Sequence, residues 1–132
     1  MNRLARTALL CAVPIILLAG LTGCVSREVR ETRNMEIEDV DVSKIPDGTY
    51  VGKYGYSGLV YTAQLEVVNG RIEWIRIKEN EPSPRSDWVT ELPERVIEAN
   101  STRVDVVSGA TTSSKAVLKA IELALKAGAG LR

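Results

Sequence analysis

Histidine and phenylalanine are absent from this sequence and cysteine occurs only twice. Neither sign of charge dominates, with 17 Lys and Arg against 17 Asp and Glu in 132 residues. Without histidine there is no imidazole base, no His-ligated zinc or haem, and no Ser-His or Cys-His nucleophile pair. A zero net charge gives no electrostatic reason to expect a nucleic-acid partner. The length supports one small domain. No catalytic residue and no metal site is expected from the chain's own side chains, so any chemistry it performs is expected to be borrowed.

What is present begins with an address. Arg3 and Arg6 precede an apolar run from Ala8 to Thr22, interrupted by Pro14 and Gly20. That run is shorter than the roughly 20 residues a membrane-spanning helix needs. A basic start, a short apolar core and small residues at its end describe a secretory signal peptide over 1–23. Leu21-Thr22-Gly23-Cys24 resembles the bacterial lipobox, which implies cleavage before Cys24 and lipid on its thiol. The other reading is an uncleaved anchor helix in which Cys24 is incidental. Two or three acyl chains exceed the two signals that stable anchoring takes. The expected location is the cell envelope, with lipid on Cys24 in the membrane and the domain on the extracytoplasmic side.

Removing residues 1–23 leaves 109 residues with 15 basic and 17 acidic side chains, and takes Cys11 away. With Cys24 lipidated no free thiol remains, which excludes disulfides, CxxCH haem sites and iron–sulfur clusters.

Residues 24–44 read as the lipidated N-terminus and a charged tether. Their Arg, Glu and Asp surround isolated small apolar residues, a pattern of solvated chain, with a short strand over Ile37–Val42 as a weaker option. About 20 extended residues would reach roughly 65 Å. The folded domain is expected over 45–132. Pro46-Asp47-Gly48 is a turn, Thr49–Tyr54 a strand, and Gly55-Tyr56-Ser57-Gly58 another turn. Leu59, Tyr61, Ala63, Leu65 and Val67 then alternate with a more polar set. Asn69-Gly70 is the favoured pair for a tight hairpin, and Arg71–Lys78 returns with Ile75 and Ile77 on one face and Trp74 on the other. Leu92–Ala99 suits a short helix with Pro93 in its first turn, and Asn100 stops it. Arg103–Val107 is β-like. Ser113–Ala127 reads as a helix with Val117, Ala120, Ile121 and Ala124 on one stripe. The fold class is α+β: a small antiparallel meander packed with a short helix and a C-terminal helix.

The stretch richest in information runs from Asp105 to Ser114. A short extended run ends in Ser108-Gly109-Ala110, and four hydroxyl residues open a helix. Gly109 permits a sharp turn, and Thr111, Thr112 and Ser113 are each able to cap the helix. The free amides and dipole of that first turn suit a phosphate, with Lys115 nearby. Neither the Walker A spacing nor the dinucleotide fingerprint is present. On these grounds alone a phosphate loop and a merely well-capped helix both stand.

Asp105-x-x-Ser108-Gly109-Ala110-Thr111 resembles the flavinylation motif of the FMN-binding domain family. That family includes the C-type subunit of the sodium-pumping quinone reductase and the G subunit of the Rnf complex. The similarity runs over roughly Asp47 to Ala127 and takes in Asp47-Gly48-Thr49-Tyr50-x-Gly52, the Asn69-Gly70-Arg71-Ile72 hairpin, Leu92-Pro93 and Ala99-Asn100-Ser101-Thr102. Glu81-Pro82-Ser83-Pro84 stands where relatives carry Glu-Thr-Pro-Gly, so flavin contact from that loop is not implied. The resemblance implies that a flavin transferase takes FMN from FAD and esterifies its phosphate to Thr111. It implies that Asp105 serves the modification, and that Ser108, Gly109 and Ala110 form the turn beside Thr112. Tyr56, Trp88, Leu92 and Val107 are the candidate walls for the flavin ring, each equally readable as core.

The function so implied is a membrane-anchored electron-transfer flavoprotein rather than a stand-alone enzyme. It would meet membrane or exported redox partner proteins. Two other classes stay open at this level: a cofactor-free binding or structural lipoprotein, and a small flavin-dependent reductase.

Overall fold

The computed structural model describes residues 27–81 and 88–131, with the side chains at 88 and 89 left aside. The signal peptide, Cys24 and the Pro82–Pro84 loop therefore lie outside the described residues. In chain order there is a helix α1 over 27–34, a 3-10 turn Val42–Lys44, and strands β1 Gly48–Tyr56, β2 Leu59–Val68 and β3 Arg71–Glu79. Helices α2 Trp88–Ala99 and α3 Thr111–Gly128 complete the fold. The class is α+β, as the sequence implies. Among the described residues no helix is long and apolar enough to cross a membrane.

The sheet is an antiparallel meander in the order β1-β2-β3. Both of its turns have two residues in the left-handed region, Ser57-Gly58 at φ 51° and 83° and Asn69-Gly70 at φ 50° and 73°. Such turns match the twist of the strands they join. The first turn is tighter than the four residues read from sequence, because Gly55 and Tyr56 pair with Val60 and Leu59 inside the ladder.

Alternation along β2 decides the sheet's two faces. Tyr61, Ala63, Leu65 and Val67 are buried, and their partners Tyr54, Gly52, Tyr50 and Ile75 share that inner face. α3 packs on β1 and β2 and α2 packs on β3, giving two layers with a core between them. Val117, Ala120, Ile121 and Ala124 of α3 are fully buried there, as their spacing predicts. Gly52 is where the layers come closest. A Cβ placed on it would lie 2.1 Å from the Ala120 carbonyl oxygen and 2.4 Å from the Ala124 amide nitrogen.

Three local expectations change. α2 starts four residues earlier than Leu92, which moves Pro93 out of the first turn and into the helix. Arg103–Val107 joins no strand; Val104, Val106 and Val107 pack against the core from an irregular path. Ile37–Val42 is not a strand either.

The largest departure is the segment read as a solvated tether, because 27–44 is packed on the domain. In α1, Thr32 is 1% exposed and its hydroxyl lies 3.1 Å from the Tyr54 hydroxyl. The Glu28 carboxylate accepts from the Ser57 amide at 2.8 Å. Further on, Val40 and Val42 are buried in the core, and the Thr102 hydroxyl donates to the Glu38 carbonyl at 2.8 Å. Glu122, with no exposed surface, accepts from the Glu38 amide and from Lys119 and Lys126. Burial pushes the Glu122 carboxyl up, but the hydrogen bonds from Lys119, Lys126 and the Glu38 amide outweigh it and hold it below the ordinary value. A few scattered apolar residues suffice because Glu38 finds partners on α3 and Asp39 on the segment after α2.

A polar cavity at the start of the last helix

Val107 to Ala110 form a turn closed by the Ala110 amide donating to the Val107 carbonyl at 3.0 Å. Gly109 sits at its third position with φ 80°, the left-handed region that a type II turn requires there. Nothing lies within 4 Å of where its Cβ would be, so its role is conformational. The turn is fastened from behind. Ser114, fully buried, accepts from the Val107 amide at 3.2 Å.

The hydroxyl residues do not cap the helix. Ala110 occupies the N-cap position and no side chain caps the first turn. Thr111 is therefore the first helical residue, and the Ser114 amide makes the first helical hydrogen bond, to the Ala110 carbonyl at 2.8 Å. The amides of Thr111, Thr112 and Ser113 have no acceptor within the helix, as in any first turn, and none among the described residues. They border a cavity of about 300 Å3 lined by Gly109, Ala110, Thr111, Thr112, Ser113 and Arg33. Arg33 comes from α1, and among the described residues no carboxylate lines this cavity.

Beneath Ser113 lies a pair of tyrosines. The Tyr56 hydroxyl is 3.1 Å from the Ser113 hydroxyl, and the Tyr56 and Tyr61 rings stack with centroids 6.3 Å apart. Burial pushes the Tyr61 phenol up to about 12, against a hydrogen bond with Ser113 that works the other way. Tyr56 also lines a neighbouring cavity of about 370 Å3, walled by residues 54–60 and by Glu28, Glu31 and Thr32 of α1. One helix thus offers carboxylates to one cavity and a guanidinium to the other.

The motif residues divide by position. Ser108 and Gly109 are exposed, and Ala110, Thr111 and Thr112 are half-buried at the cavity. Asp105 is exposed and does not line the cavity; its carbonyl accepts from Arg95 at 3.0 Å, and Arg95 pairs in turn with Glu91. Of the suggested ring walls, Tyr56 reaches the site through Ser113. Val107 is half-buried against the core, held by Ser114. Leu92 has no exposed surface and points into the core between α2 and the sheet, so it offers no face to a ring in this arrangement. The Trp88 side chain lies outside what is described. Lys115, read as the cation near the phosphate, instead donates to the Met35 carbonyl at 3.0 Å. Arg33 takes the place read for it. No local pattern in the sequence marks Arg33, since only the docking of α1 brings it to Thr111. No group of His, Cys, Asp and Glu able to hold a metal occurs among the described residues.

A phosphate ester fits this donor set. Among the described residues, three unclaimed amides, the positive end of a long helix, hydroxyls and one cation converge on a space that no carboxylate lines. The volume is at the lower end for a small-molecule site, enough for a phosphate and the start of the chain attached to it. Fold and cavity together describe a small α+β domain with a donor-lined cavity at the start of its last helix. The model of the FMN-binding domain matches residues 29–126, and the chain belongs to that family. It is an FMN-binding domain that includes all but the first two described residues of α1.

Two individual comparisons accompany the family match. A Treponema pallidum (strain Nichols) protein described as uncharacterized is 30% identical over 126 residues. The match takes in 87% of this chain but 34% of that protein, so the chain spans about a third of its relative's length. The crystal structure of the CPE2226 protein from Clostridium perfringens superposes with a TM-score of 0.56 at 21% identity. That match covers 64% of this chain and 88% of the other, and it speaks for the fold alone.

Proposed function

We propose that this protein carries FMN covalently, with the flavin phosphate esterified to the Thr111 hydroxyl, and serves as an electron carrier on the extracytoplasmic side of a membrane. The observation that supports this most directly is the uncapped start of α3. Thr111 is its first residue and lines the cavity, where a phosphate on its oxygen would meet the free amides. A side-chain cap at Ala110's position would occupy those amides; none does.

In this reading each residue has a task. Gly109 holds the turn open, Ser114 fastens the turn to the helix, and the amides of Thr111, Thr112 and Ser113 hold the phosphate charge. Tyr56 supports Ser113 from below. The exposed Asp105, together with Ser108, is left for a flavin transferase that uses FAD as the donor. The bound isoalloxazine supplies one- and two-electron chemistry that the side chains of this chain lack. A covalent bond keeps the cofactor on a protein beyond the cytoplasm. Lipid on Cys24 is the proposed anchor, and membrane or exported redox proteins the proposed partners.

The test is the exported full-length chain made together with a competent flavin transferase. After denaturation and washing it should stay yellow, and the peptide containing Thr111 should gain the mass of one FMN less one water. A colourless washed protein, or an adduct that persists in Thr111→Ala, would overturn the assignment. Cys24→Ala should release the protein from the membrane or leave it unprocessed; unchanged retention and mobility would remove the lipid anchor from the proposal.

A further inference from the structure

Resting on that reading of Thr111, we infer that Arg33 of α1 is the cation that pairs with the flavin phosphate, which makes the N-terminal helix part of the cofactor site. Among the described residues, Arg33 is the one charged residue lining the cavity. Its guanidinium makes no ion pair or hydrogen bond with any other described residue. On the same helix, Arg27 is paired with Glu31 at 2.8 Å.

The rotation of α1 is fixed, and with it the direction of Arg33. Glu28 and Thr32, one turn apart, are fastened to the Ser57 amide and the Tyr54 hydroxyl. Just beyond the helix, Lys115 of α3 holds the Met35 carbonyl at 3.0 Å. A residue next to Thr32 is turned by about 100° from it, which takes Arg33 away from the carboxylate-lined cavity and onto the one at Thr111. Lys115, spent on the backbone at Met35, holds the end of the helix that carries Arg33.

The charge count also matches. A phosphodiester carries one negative charge, and the cavity offers one guanidinium with the partial positive charge of a helix start. Arginine presents paired donors to two phosphate oxygens, a geometry that lysine lacks.

The test uses the full chain flavinylated in cells as wild type, Arg33→Gln, Arg33→Lys and Arg30→Gln. The phosphorus resonance of the adduct and the emission anisotropy of the flavin are read across a potassium chloride titration. In Arg33→Gln the resonance is expected to shift to the position of an unpaired phosphodiester and to lose its salt dependence, and the anisotropy to fall. Arg33→Lys should lie between that and wild type. Arg30→Gln should match wild type, since Arg30, exposed like Arg33, lines neither cavity. Identical resonance and anisotropy in wild type and Arg33→Gln would overturn the inference while leaving the adduct on Thr111 standing. Absence of any adduct in wild type would instead strike the proposed function. Thermal melts of the unflavinylated forms separate a role in folding, and a Gln variant that fails to fold would overturn the inference too.

Discussion

The two ends of α3 are built on opposite terms. At its start the backbone amides go uncapped, the residue behind them is an alanine, and the wall is a cavity. From Ala116 onward nearly every inward atom is spoken for. Ala120 and Ala124 lie against Gly52, and Glu122 is closed in by two lysines and the Glu38 amide. One helix thus separates the task of holding the domain together from the task of holding a ligand. Unsatisfied polar groups carry a cost, and in α3 the uncapped amides lie in one turn that borders a cavity.

The comparison breaks most visibly at Gly52. Gly52→Ala would drive a methyl into the α3 backbone, which cannot step aside as a flexible side chain would. A loss of about 3 kcal/mol or more is expected in urea unfolding of the unflavinylated protein. A smaller effect comes from Glu122→Gln, which leaves Lys119 without its carboxylate and Lys126 with Glu38 alone. Both lysines are about one-fifth exposed, at 22% and 21%, so the loss should be nearer 2 kcal/mol than the value for a fully buried pair. Because the Glu122 carboxyl titrates below its ordinary value, its stabilisation is present above the unfolded carboxyl's pKa of about 4.3. It is lost as pH falls through the lower folded value, and Glu122→Gln should remove that part of the acid dependence.

Asn100→Ala comes next. Its amide accepts from Ile72 at 2.9 Å and donates to the Gly70 carbonyl at 3.1 Å, tying the end of α2 to the second hairpin turn. About 1–2 kcal/mol should be lost, part of it because alanine tolerates the φ of 49° at this position less well than asparagine does. The smallest effect is expected at the open end. Thr111→Val should change the stability of the unflavinylated protein by less than about 0.5 kcal/mol, because Thr111 caps nothing. The same change should abolish the flavin adduct. A loss of about 1 kcal/mol, the usual worth of a side-chain cap, would mean that the hydroxyl is structural after all.

Much of this was readable in the sequence where patterns are local. Alternation along Leu59–Val68, the Asn69-Gly70 turn and the apolar stripe of α3 depend on neighbours a few residues away, and each appears where it was expected. The Ser108–Thr111 motif marked the cavity for the same reason. What stayed hidden depends on contacts between distant segments. Ile37, Val40 and Val42 are too sparse to suggest burial until Thr102 and Glu122 are known to meet the chain beside them. Leu92 carried no sign that it faced the core rather than a ligand. Arg33 is one of several arginines in a charged stretch, distinguished only by what α1 docks against. The capping reading of Thr111, Thr112 and Ser113 failed more narrowly. Composition placed hydroxyls at the helix start, but the Val107–Ala110 turn shifts the cap by one residue.

The docking of α1 also sets how far the domain travels. As a free extended chain, residues 24–44 would let the cofactor roam roughly 65 Å from a bilayer. With α1 held by Glu28 and Thr32, the stretch from Cys24 to Arg27 can reach at most about 10 Å. Seven helical residues to Arg33 add about 9 Å more. For a lipid on Cys24, as proposed, the flavin then works within about 20 Å of the headgroups. Electrons would pass to and from partners at the membrane surface itself, and a partner held far above it would have to come down to be served.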